Sequence, residues 1–115
     1  MRQSLRGWRE KRSREQQAMN EERTQRLLDV LRDTRALLAR PENDFSWSSW
    51  TDTDHALGEI DRLIATIESG APWQPHAASV LFLPTGPIQE VSLSSGWGNE
   101  FLTLAARFDK AIGAL

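Results

Sequence analysis

The stretch Ser79-Val80-Leu81-Phe82-Leu83-Pro84-Thr85-Gly86-Pro87-Ile88-Gln89-Glu90-Val91-Ser92-Leu93-Ser94 is the one on which a sheet in this chain depends. Ser79 to Leu83 reads as a strand with apolar side chains on both faces. Pro84-Thr85-Gly86-Pro87 reads as a turn, with a proline on each side of a Thr-Gly pair. Ile88 to Ser94 reads as the return strand, Val91 and Leu93 toward the core and Glu90, Ser92 and Ser94 toward water. The stretch therefore predicts a β-hairpin.

On either side the periodicity changes. Ser95-Gly96-Trp97-Gly98 turns the chain into a last helix, with Phe101, Leu104, Ala105, Phe108 and Ile112 on its inner face. Upstream, Ala56, Leu57, Ile60, Leu63, Ile64 and Ile67 form a helical stripe. Thr51 or Asp52 caps that helix, and Gly70 followed by Pro72 ends it. Further back, Leu27, Leu31 and Leu38 mark one helical face, widened by Leu28, Val30 and Leu37. Asn20 suits the cap of that helix and Pro41 its end. Between these two helices, Phe45 and Trp47 alternate with Ser46 and Ser48, as in a third short strand near 45–48.

The fold class expected is α+β: two N-terminal helices, a β-hairpin with that short strand beside it, and a C-terminal helix. A two-stranded sheet is marginal alone, so a homodimer that covers the hairpin edge is expected as well.

Charge divides the chain. Residues 1–41 carry 11 of its 14 Lys and Arg against 6 acidic side chains; residues 42–115 carry 3 basic (Arg62, Arg107, Lys110) against 10 acidic ones. Beyond Met1, residues 1–18 have only Leu5, Trp8 and Ala18 as apolar side chains, too little to offset the entropy of ordering them. They are expected to form a basic, disordered extension, and residues 19–115 a single small domain. Met19, directly before Asn20, is in the right place for an alternative translation start.

Composition narrows the chemistry. With no cysteine, disulfides, thiolate catalysis and Cys-ligated zinc are excluded. No apolar run approaches the roughly 20 residues of a membrane span, and the basic N-terminal segment lacks the apolar stretch of a secretory signal. A cytoplasmic protein is expected. The two histidines, His55 and His76, have no ligand spacing around them, and no serine stands in a nucleophile context. The expectation is therefore no catalytic residue, no metal and no cofactor.

What remains is recognition. Trp47, Asp52, Asp54, Glu59 and Asp61 make an acidic, Trp-bearing surface suited to another, basic protein, since tryptophan anchors interfaces and opposite charge speeds encounter. A small neutralising or immunity-type protein is one concrete form of that reading. A second reading is a small-molecule sensor or carrier whose pocket is lined by Trp47, Gly96, Trp97 and Gly98, the glycine turn offering free backbone N–H groups. A third uses the basic arm, with Trp8 for stacking, on nucleic acid. Glu10 and Glu15 dilute that arm and no recognition motif accompanies it, so nucleic acid is not the expected partner.

Overall fold

The computed structural model describes residues 2–113, with side chains from residue 11 onward. Its elements are α1 (Arg2–Leu38), α2 (Thr53–Glu68), α3 (Pro75–Leu81), α4 (Pro87–Ser95) and α5 (Gly98–Gly113). No strand occurs among the described residues, so the chain is all-helical and the expected α+β class is overturned.

The hairpin fails for a reason visible in the prolines before and within it. Pro75 and Pro87 are the first residues of α3 and α4, where the missing N–H has no partner to lose and the fixed φ already suits a helix. The residues expected to alternate follow the helical period instead. Ile88, Val91 and Ser92 are buried together, while Leu93, expected beside Val91, is 66% exposed. The apolar run before the turn divides in the same way: Ala78 and Phe82 are buried one turn apart, while Val80 and Leu83 are exposed. Between α3 and α4 the chain reverses at Gly86. A Cβ there would stand 2.7 Å from the Val80 carbonyl oxygen and 3.1 Å from those of Leu81 and Leu83.

The third strand is absent too. Residues 45–48 form a turn in which the Ser48 N–H donates to the Phe45 carbonyl (3.1 Å) and the Ser46 N–H to Asp44 Oδ1 (2.9 Å). The Asx turn at Asp44 outcompetes any ladder, and no neighbouring strand is there to pair with.

α1 is the spine. It runs back past Asn20, which is an interior helical residue rather than a cap; its carbonyl accepts from Thr24 Oγ1 at 2.8 Å. α2 packs antiparallel on one side, joined by Arg35–Asp61 (2.6 Å) and Arg32–Glu68 (3.2 Å). α5 packs on α1 as well, joined by Arg107–Asp33 (2.9 Å), while α3 and α4 lie against α5. Phe82 and Phe108 stack with ring centroids 4.1 Å apart, which fixes the end of α3 to α5. One apolar cluster runs from Leu27 to Ala111 through Trp50, Ile60, Ile88, Val91 and Trp97. The two buried hydroxyls are satisfied within their own helices, Thr34 on the Val30 carbonyl and Ser92 on that of Gln89. Side chains 11–22 of α1 are all exposed, and the molecule measures 66 × 24 × 20 Å. No helix among the described residues is long and apolar enough to cross a membrane.

Candidate functional site

The segment between α1 and α2 is irregular but closely tied. Asn43 directs its side-chain N–H groups to the Leu37 and Leu38 carbonyls (2.7 and 3.0 Å), which closes the end of α1. Its Oδ1 accepts from the indole N–H of Trp97 at 2.9 Å. The rest of the segment lies along α4. The Asp44 N–H donates to Ser95 Oγ (2.9 Å), Ser48 Oγ to the Pro87 carbonyl (3.3 Å), and the Ser49 N–H to Glu90 Oε1 (3.4 Å). This lashing holds up one large side chain: Trp47 is 76% exposed, the most open of the large apolar side chains among the described residues.

The acidic residues expected to surround it have diverse duties. Asp52 is the α2 cap, its Oδ1 accepting the His55 N–H at 2.9 Å. Asp61 grips Arg35 through two hydrogen bonds, to Nε at 2.6 Å and Nη2 at 3.1 Å. Those bonds hold the Asp61 carboxyl below its ordinary range and raise the Arg35 guanidinium above its own. Glu59 accepts the Trp50 indole N–H at 2.8 Å and sits 3.4 Å from His55 Nε2. Glu59 and Asp61 thus engage neighbouring groups of the fold while remaining accessible to solvent. Asp54 stays exposed in the first turn of α2.

Three carboxylates outside the expected set join Trp47. Glu42 is exposed nearby in sequence, Asp44 is half-buried, and Glu90 is brought in from α4 by its contact with Ser49. Hydrogen bonds from the Ser46 side chain and backbone hold the Asp44 carboxyl below its ordinary range, so it is ionised at neutral pH. Residues 41–54 contain no Lys or Arg. Glu42 and Asp44 were legible in the sequence as neighbours of Trp47; Glu90 was not, because 42 residues intervene.

His55 is engaged at both ring nitrogens. Nδ1 accepts the Thr51 N–H at 3.1 Å, which places the neutral ring's proton on Nε2, toward Glu59. The arrangement holds the start of α2 and leaves neither nitrogen facing an open cavity. His76 is exposed on α3. No group of acidic and histidine side chains suited to a metal ion occurs among the described residues.

The residues of the expected ligand pocket differ in setting, Trp47 standing exposed on its loop. Trp97 is 1% exposed and packs in the core. Gly96 is the left-handed cap of α4 at φ 85°, and Gly98 begins α5. The cavities between α1 and α5 and between α2 and α3 are lined by none of Trp47, Gly96, Trp97 or Gly98. No family model, curated protein or solved structure matches the chain.

Proposed function

We propose that this chain is a non-enzymatic interaction module that engages a basic protein through the Trp47 loop. The observation that carries the reading is the combination of exposure and constraint at one tryptophan. An indole 76% exposed to water is costly unless something covers it, and the bonds to α4 restrict the loop before any partner arrives. Tryptophan is enriched at interface hot spots, and a prearranged anchor sacrifices little further entropy on binding. Glu42, Asp44, Asp52, Asp54 and Glu90 give its surroundings one sign of charge, which favours a cationic partner and fast encounter at low salt. Neutralisation of a basic enzyme is one form such binding takes. The proposal places the protein in the cytoplasm, a compartment compatible with a core that uses no cross-link.

The test is capture from host extract with wild-type and Trp47→Ala baits at low and high salt. A protein of basic isoelectric point should be retained by the wild type, released by salt, and lost with Trp47→Ala. Retention of the same proteins by both baits would sink the reading. Trp47→Ala should leave thermal stability nearly unchanged, since the side chain buries little.

A further inference from the structure

The basic and acidic halves of the sequence do not stay apart in the fold. Arg107 and Lys110, two of the three basic residues beyond Pro41, come to lie on α5 against Arg23 and Arg26 of α1. Together with Asp29, Val30 and Ala111 they line a cavity of about 270 Å³. Val30 and Ala111 are buried and close its floor.

The pairing of these cations is incomplete. Arg26 gives Nη2 to Glu22 at 2.7 Å, and Arg107 gives Nη1 to Asp33 at 2.9 Å, so each keeps further N–H donors. Arg23 is half-buried and has neither an acceptor nor an ion-pair partner among the described residues. Lys110 has none either. Lys110 stands in the last turn of α5, where a cation complements the helix dipole. Arg23 lies in the interior of α1, where no helix end accounts for it. Among the described residues no buried side-chain nitrogen lacks a partner, so the Arg23 guanidinium still reaches water and its N–H donors are open to a bound anion.

We propose that this α1–α5 groove is a binding site for a phosphoryl group. Arginine forks match the oxygen spacing of phosphate, and lysine adds a mobile point charge; Arg23, Arg26, Arg107 and Lys110 supply both. Asp29 repels an anion from its own part of the wall, so the phosphoryl oxygens sit with Arg23 and Lys110. The cavity has room for a diphosphate or a small phosphate monoester, and no room for a nucleic-acid strand to be enclosed. This site is separate from the Trp47 loop, and its fate does not decide that of the partner surface.

The experiment is calorimetric titration of the full chain at low salt with inorganic pyrophosphate, phenyl phosphate and a single-stranded oligonucleotide, repeated on Arg23→Gln/Lys110→Met. Neither substituted residue holds an internal ion pair, and circular dichroism checks that the helices persist. Pyrophosphate or phenyl phosphate should bind one to one with Kd of about 1 mM or tighter. The double variant should lose at least about tenfold in affinity. The tighter of the two small probes says whether the ligand is a free polyphosphate or an organic ester. Absence of heat with both probes, equal binding by the double variant, or binding of the oligonucleotide alone would each overturn the site.

Discussion

At the scale of single residues, two glycines test the helical packing directly, Gly86 between α3 and α4 and Gly58 within α2. Gly86 is surrounded by backbone oxygens that cannot swing aside, so Gly86→Ala should destabilise by about 1–3 kcal/mol, the usual cost of overpacking. Gly58 lies inside α2 with nothing within 4 Å of an added Cβ, so Gly58→Ala should stabilise by about 0.5–1 kcal/mol. Paired thermal melts read both signs, and a destabilising Gly58→Ala or a neutral Gly86→Ala would contradict the packing. Asn43 is the polar counterpart. One side chain satisfies two carbonyls at the end of α1 and the Trp97 indole, joining three parts of the chain. Asn43→Ala leaves those groups unpaired in partly buried positions, with an expected cost of about 2 kcal/mol or more by chemical denaturation. Asn43→Asp should restore the bond to Trp97 but set a carboxylate against the α1 carbonyls, and should rescue little of the loss.

At the scale of elements, α1 has two unlike halves. From Leu27 to Leu38 it buries six side chains, including Thr34, whereas positions 11–22 are exposed throughout. An exposed helical half lacks the tertiary packing that stabilises most protein helices. Deleting residues 1–18 should therefore shift stability by no more than about 0.5 kcal/mol, and amides before residue 20 should exchange far faster than those after 27. A large fall in melting temperature on truncation would show that the arm packs on something. The same contrast shows what sequence could reveal. The α2 stripe was legible because six apolar residues repeat over three turns and Asp52 caps them. Residues 79–94 were not, because the four-residue apolar run Val80–Leu83 fits a buried strand as well as one helical turn. Val91-Ser92-Leu93 alternates in type while the structure buries the serine and exposes the leucine. The prolines carried the deciding information, and it was ambiguous: the same Gly-Pro pair marks a turn or opens a helix. Of the candidate sites, Trp47 was legible from its polar surroundings. The cationic groove was not, since Arg23 and Lys110 are 87 residues apart and meet only through the packing of α5 on α1.

For the whole molecule, the loss of the hairpin removes the sheet edge that was the reason to expect a homodimer. The same change gives the charge split a different meaning. Arg32 and Arg35 of the basic half meet Glu68 and Asp61 of the acidic half, and Asp33 meets Arg107 of the later chain, so part of the division serves to join α1 to its neighbours. These pairs are half exposed, and water screens them, so they select the arrangement of the helices more than they stabilise it. The Arg35–Asp61 pair makes a pH-dependent signature of that arrangement. Hydrogen bonds from Arg35 lower the Asp61 pKa in the folded state relative to an unfolded value of about 3.9. The stabilising contribution is then present above the unfolded pKa and fades as pH falls through the folded one. Arg35→Met removes the donors, so the Asp61 carboxyl should titrate higher, back toward its unfolded value, when followed by carbon-detected NMR. An Asp61 titration identical in wild type and Arg35→Met would mean that α1 and α2 do not meet in this register, and would unseat the connection between them that carries the Trp47 loop, while the α1–α5 groove, joined by Arg107–Asp33, would stand.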